Sequence, residues 1–157
     1  MRCRRLETSN AALMTMTTTD NTSGCVVLAD RHHGLTEGIR GLLGTLFRTV
    51  VMVADESSLQ ETAARLEPRM VVADLSLARD HSLRWLERLR LCHPEMKLVV
   101  LSVHDEPSVR RAAMGAGADG FVLTRAIATD LLPTVEAVLA GVHAPAVDNE
   151  CQRPNAT

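Results

Sequence analysis

The chain has 157 residues, of which 46% are hydrophobic, and a formal net charge of −2 from 17 Lys+Arg and 19 Asp+Glu. That size and apolar content favour one domain with a real core, and the balanced charge excludes a polybasic nucleic-acid or membrane surface as its main business. Aromatic residues make up only 2%, which excludes a stacking platform for single-stranded nucleic acid, and no apolar run approaches the roughly 20 residues that span a bilayer.

Residues 1–24 are rich in Thr, Ser and Asn without periodicity, so a flexible lead-in is expected there. Five strand-like runs follow: Cys25–Ala29, Val50–Val53, Met70–Ala73, Leu98–Leu101 and Phe121–Leu123. They are Val- and Leu-rich without polar alternation, as strands buried on both faces of a parallel sheet require. Helical patterns lie between them. Leu35, Ile39, Leu42, Leu43 and Leu46 recur every three or four residues and define the first helix face. Ser58–Leu66 predicts a second helix and His81–Cys92 a third, with Leu83, Leu86 and Leu89 inward. Pro107 suits the first position of a fourth. A fifth is predicted to start at Thr129 or Asp130 as N-cap, with Pro133 in its first turn and Leu131, Val135, Val138 and Leu139 buried. Residues 142–157 have no core pattern and are expected to be a flexible tail, leaving 25–141 as the domain.

Strand–helix alternation of this kind implies right-handed βαβ units and a doubly wound sheet. Chemistry in such sheets sits at the carboxyl ends of the strands, which selects Asp30-Arg31-His32, Asp55-Glu56, Asp74, Ser102 and Thr124. Two acids beside hydroxyls could cradle a hard cation and a phosphoryl group. An aspartate placed there can act as a nucleophile.

The four cysteines, Cys3, Cys25, Cys92 and Cys151, have no CxxC spacing, so reduced thiols are expected, with Cys25 and Cys92 as small core fillers. No h-region follows Arg2, Arg4 and Arg5, so secretion is not expected. The run Gly115-Ala116-Gly117-Ala118-Asp119-Gly120 spells a dinucleotide fingerprint, but it leaves a helix and enters a strand. That is the reverse of the required order, and a C-cap with a turn is expected instead. The six histidines (His32, His33, His81, His93, His104 and His143) contain no i, i+4 pair and read as polar loop residues. Ser102 with His104 and Asp105 lacks a nucleophile elbow, so no hydrolase is expected.

The stretches VVLADRHHGLTEGIRGLL, MVVADLS and HPEMKLVVLSVHDEPSVRRAAMGAGADGFVLTRA, with the closing helix, resemble the receiver domain of two-component response regulators. The branch is the one usually joined to a LuxR-type helix-turn-helix. The resemblance covers about Cys25–Ala140 and implies a flavodoxin-like (CheY-like) five-stranded parallel sheet, order 2-1-3-4-5, with helices on both faces. It implies Asp74 as the phosphoacceptor, Asp30 as the first of the paired acids that hold Mg²⁺ with it, and Ser102 and Phe121 as the switch residues. A sensor histidine kinase or phosphotransfer protein is the implied upstream partner, in a cytoplasmic phosphorelay. The face formed by residues 109–114, 121–123 and 131–139 is the implied surface for a homodimer or an effector. Self-dephosphorylation is the only catalysis such a domain implies, so no enzyme is expected.

Three positions depart from the family pattern. Arg31 stands where the second acid belongs, Thr124 where a lysine belongs, and Leu77-Ala78-Arg79 where Met-Pro-Gly is usual. Replacing a carboxylate by a guanidinium changes the formal charge of the site by about two units, which argues against Mg²⁺ binding. Arg31 either pairs with Asp74 or Asp30 and takes part of the metal's role, or turns out to solvent. Arg125, one residue beyond Thr124, should point to the other face and not replace the lysine. The 17 residues after Ala140 are too few for a helix-turn-helix, so direct DNA binding is not expected. The resulting expectation is a single-domain atypical receiver that works by protein contact. Its alternative is a phosphorylation-independent docking or dimerisation module with a degenerate acidic pocket.

Overall fold

Apolar residues alternate so regularly that each strand feeds two cores at once. A computed structural model describes residues 24–141. In it the strands are β1 (Cys25–Ala29), β2 (Thr49–Val53), β3 (Met70–Asp74), β4 (Lys97–Ser102) and β5 (Gly120–Leu123). They form one parallel sheet in the order β2-β1-β3-β4-β5, the expected doubly wound arrangement. The flexible ends expected over 1–24 and 142–157 lie, apart from Gly24, outside the described residues.

Because successive strand residues point to opposite faces, Val27, Ala29, Val71 and Val100 enter one core and Val26, Leu28, Val72 and Val99 the other. Three helices cover the first face: α2 (Glu56–Leu66), α3 (Arg84–Cys92) and α4 (Pro107–Ala116). The second is covered by α1 (His33–Leu43) and α5 (Ile127–Leu139). Trp85 of α3 is wholly buried in the first core and Phe47 is almost so in the second.

The helix starts differ from the sequence reading at three places. α2 begins at Glu56 rather than Ser58, capped by Asp55. His81 has a left-handed φ of 56°, which interrupts the predicted run, so α3 begins at Arg84 rather than at His81. The last helix begins at Ile127, after a 3₁₀ turn over Thr124–Ala126. Thr129 and Asp130 therefore lie within its first turn and do not cap it. Pro133 falls in the second turn, where the carbonyl left without its amide partner is on the exposed side of the helix with Pro133 itself. Pro107 does occupy the start of α4. Cys25 is a free thiol pushed up by burial, whereas Cys92 is disulfide-bonded, which corrects its reading as a reduced core filler.

The glycine-rich run closes the end of the sheet opposite the strand carboxyl ends. Gly117 has φ +121°, and a Cβ there would lie 2.8 Å from the Arg90 side chain. Gly120 lets β5 approach α5, since a Cβ would lie 2.8 Å from Thr134. Arg90 donates to the carbonyls of Gly117, Pro94 and Met96 and pairs with Asp119. Asp119 also accepts from the Leu98 amide at 2.9 Å. The turn is a structural brace, as the order of elements implied.

Arg90→Ala is expected to cost about 2–4 kcal/mol of unfolding free energy by urea denaturation, because it strands several partly buried acceptors. Arg90→Lys should recover less than half of that loss, since an ammonium cannot reproduce the fork. At the other end of the chain's stability lies the N-cap of α2. The Ser58 amide, at 2.7 Å, and then the Ser58 hydroxyl hold the Asp55 carboxyl below its usual range. Its folded value is lower than its unfolded one, so the cap's contribution is present above the ordinary carboxylate range and fades as pH falls through the lowered value. Melts between about pH 7 and pH 2 should show Asp55→Ala less stable at the neutral end and indistinguishable at the acid end.

Candidate functional site

Parallel pairing in register sets Ala29 opposite Ala73 and Ser102 opposite Leu123. The next residues of β1 and β3, Asp30 and Asp74, therefore emerge side by side. Both are buried, as is Ser102. Asp30 is anchored by its own amide to the Val53 carbonyl at 3.1 Å. Its Oδ1 accepts from the His32 amide at 2.8 Å and lies 3.3 Å from the His32 Nδ1. Asp74 caps the 3₁₀ turn over Leu75–Leu77, its Oδ1 accepting from the Ser76 amide at 2.7 Å and from the Ser76 hydroxyl. Ser102 Oγ accepts from the His104 amide at 3.0 Å.

One donor atom each from Asp30, His32 and Asp74 can be chosen so that all lie within 4.8 Å of one another. Two carboxylate charges at that separation repel by about 3–4 kcal/mol at an effective dielectric near 20. Among the described residues Asp30 has only the His32 imidazole as an ion-pair partner, and Asp74 has none. The edge is thus an unneutralised acidic pocket. Beside it opens a cavity of about 450 Å³ lined by Asp74, Ser102, Leu75, Leu83, Val103 and Val109, among others.

Of the three departures, the loop Leu77-Ala78-Arg79 buries Leu77 and Ala78 in the first core, and the other two lie at the strand ends. Arg31 is exposed and pairs with neither Asp30 nor Asp74; its Nη1 donates to the Ser76 carbonyl at 3.3 Å. The internal ion pair is corrected, and so is a guanidinium wholly free in solvent. Arg31 directly follows Asp30 in the chain, and its side chain reaches the backbone between β3 and α3 instead of either acid. Thr124 lies one residue past the β4–β5 register, and its Oγ1 is buried with no hydrogen-bond partner. Arg125 pairs with Asp105 at 2.9 Å; it lies in the 3₁₀ turn over Thr124–Ala126, so the strand alternation expected to turn it to the other face does not apply. Phe121 is buried in the first core, with the Arg110 guanidinium 5.5 Å from its ring centroid, a cation–π contact.

Residues 26–136 match the family of response regulator receiver domains. The chain belongs to that family. It is 34% identical over 119 residues to the transcriptional regulatory protein UhpA of Salmonella typhimurium, covering 74% of this chain and 59% of that protein. It is 25% identical over 118 residues to DegU of Brevibacillus brevis, covering 74% of this chain and 50% of that one. The chain therefore spans about half the length of these relatives. A LuxR-family two-component response regulator from Aurantimonas matches with a TM-score of 0.71 at 24% identity, over 78% of this chain and 89% of that one. The isolated receiver of Salmonella RcsB, with a phosphomimetic, matches at 0.68 and 22% identity over 78% and 92%. Those two likenesses establish the fold.

Receiver domains hold Mg²⁺ in an acidic pocket at this edge. Here the side chains offer two carboxylates and one imidazole, and the Ser76 carbonyl on the rim already accepts from Arg31. Mg²⁺ is usually held through one or two carboxylates, with waters completing its octahedron, so Asp30 and Asp74 fit it, while the Arg31 guanidinium on the rim opposes its charge. No helix among the described residues is long and apolar enough to cross a membrane.

The sequence places His32 at the carboxyl edge and also among the polar loop histidines, and nothing in it singles out Ser76. The signal for each is an acid two positions earlier, Asp30 and Asp74, where an Asx-type turn folds residue i+2 back onto the carboxylate. Removing one of the facing charges should relieve the repulsion. Asp74→Asn keeps an acceptor for Ser76 and is expected to raise the unfolding free energy by about 1–2 kcal/mol in chelator-treated protein. Equal or lower stability in denaturant melts would show that the two charges are already compensated.

Proposed function

We propose that the chain is an atypical receiver in phosphorelay signalling, with Asp74 at the phosphoacceptor position, that passes its state on by protein–protein contact. The observation that carries this reading is the buried Asp74 carboxylate at the mouth of the cavity. Ser76 holds its Oδ1 in place, which leaves Oδ2 to attack. In that step Oδ2 bonds to phosphorus while the bond from phosphorus to the donor breaks, and the electron pair leaves with the donor. Ser102 would turn its hydroxyl from His104 to a phosphoryl oxygen. With Thr124 in the lysine's place, β5 supplies no cation to the developing charge, so transfer is expected to be slow.

Ser102 and Phe121 are proposed as the switch pair, and α4, β5 and α5 as the contact face. Several residues of that face, including Ala113, Val122, Leu131, Val135 and Val138, are committed to the two cores. What it offers a partner is the exposed Arg111 and Ala112 with partly buried Met114 and Leu132. The second reading, a phosphorylation-independent docking module, is favoured by Arg31 and Thr124.

Acetyl-phosphate labelling read by intact mass decides between them. An adduct that disappears in Asp74→Asn is expected, formed more than tenfold faster in the Arg31→Asp, Thr124→Lys double variant, since a single well-placed charge-stabilising donor is worth on the order of a hundredfold. A folded protein that takes no adduct in either background would overturn the phosphoacceptor role and leave the docking module.

A further inference from the structure

We propose that the cavity beside Asp74 binds a small amphipathic amine, with the ammonium on Asp74 and the hydrocarbon body between the β3–α3 and β4–α4 loops. The cavity measures about 450 Å³, within the roughly 300–1,000 Å³ of sites that enclose small organic ligands. Leu75 and Leu83 form one wall, and Val103, Val109 and Ala112 the other. Apolar walls give enclosed water too few partners, so this space favours hydrocarbon over a hydrated ion. It is also separate from the acidic pocket between Asp30 and Asp74. β3 lies between β1 and β4, and the cavity opens on the β4 side, with neither Asp30 nor His32 in its lining.

The polar end of the ligand follows from what Asp74 lacks. Its Oδ1 accepts from the Ser76 amide and hydroxyl, and no cation among the described residues pairs with the carboxylate. An ammonium supplies both a charge and donors, and a charge-assisted bond to a carboxylate is among the stronger ones. Ser102 lines the same cavity, and its Oγ offers a further acceptor to a group with three donors. A ligand with a carboxylate in that place would meet the charge of Asp74 with its own. Val103 is 69% exposed, so a hydrocarbon body seated here also covers apolar surface that water now touches.

Binding does not depend on phosphoryl transfer, but its consequence rests on the receiver reading. An amine on Asp74 blocks the oxygen that attacks phosphorus, so occupancy holds the chain in its unmodified state. Chelator-treated full-length protein, with no phosphodonor present, is titrated calorimetrically with naphthylmethylamine, naphthylmethanol and naphthoate. One amine per chain is expected, about tenfold or more tighter than the alcohol, with naphthoate weakest. Asp74→Asn should bring the amine down to the affinity of the alcohol. Ala112→Trp, at an exposed position of α4, should fill the cavity and weaken amine and alcohol alike by about tenfold or more, with the circular dichroism spectrum unchanged. Four results overturn the proposal: no amine binding, alcohol or naphthoate as tight as the amine, amine affinity unchanged in Asp74→Asn, or unchanged in folded Ala112→Trp. A protein that binds the amine but takes no phosphoryl adduct keeps this site and loses only the phosphoacceptor role. One that takes the adduct and binds no amine keeps that role and loses this site.

Discussion

Asp30 and Asp74 face each other because β1 and β3 run parallel and in register, with Ala29 opposite Ala73. Neither acid can leave without pulling a central strand out of the sheet, so their mutual repulsion is built into the fold. Each is held by short local bonds, Asp30 by the His32 amide and Asp74 by Ser76. Those bonds orient the carboxylates but add no positive charge. What remains is a fixed, buried, negatively charged edge, and every other feature of the pocket is a response to it. The His32 ring leans on Asp30, Arg31 stays on the rim, and Ser102 keeps its hydroxyl turned to its own loop.

Arg31 and Thr124 change the chemistry of this edge without changing its frame. Arg31 is exposed and its one bond is to a backbone carbonyl. Its charge is therefore partly screened, and the two acids are left for another cation to pair. Thr124 has the opposite character. A lysine would bring a charge to the pocket, but the threonine brings a buried hydroxyl with no partner. A buried hydroxyl without a bond costs free energy, so this position favours any neighbour able to bond it. Together they leave a pocket with two buried acids, an exposed guanidinium on its rim and an unbonded buried hydroxyl just past β5.

The fold was legible because parallel strands buried on both faces leave short runs such as Met70–Ala73 and Leu98–Leu101, with no polar alternation to mislead. The carboxyl-end rule then found Asp30, Asp74, Ser102 and Thr124 without any contact information. Two kinds of detail were not legible. Helix starts set by a single backbone angle, such as the left-handed His81 before α3, leave no periodic trace. Side-chain destinations were also hidden: the charge on Arg31 suggested an acid as its partner, and a guanidinium can be satisfied equally well by a carbonyl. The contact of His32 with Asp30 was hidden for a related reason. A search for helical i, i+4 pairs passes over an imidazole that meets its acid across a strand-to-helix turn.

The two ends of the sheet divide the work between them. At the amino ends of β4 and β5, Arg90 and Asp119 tie α3, the turn after Gly117 and the start of β4 into one brace. At the carboxyl ends, the pocket is made of loops whose bonds are mostly to their own neighbours. Cooperative stability therefore resides in the cores and in the brace, on the far side of the strands from the acids. That separation explains how an arginine and a threonine can sit at the carboxyl edge while the sheet keeps its register through Asp74 and Ser102. It also means that altering the pocket's charge shifts stability without moving the strand register that sets Asp30 beside Asp74.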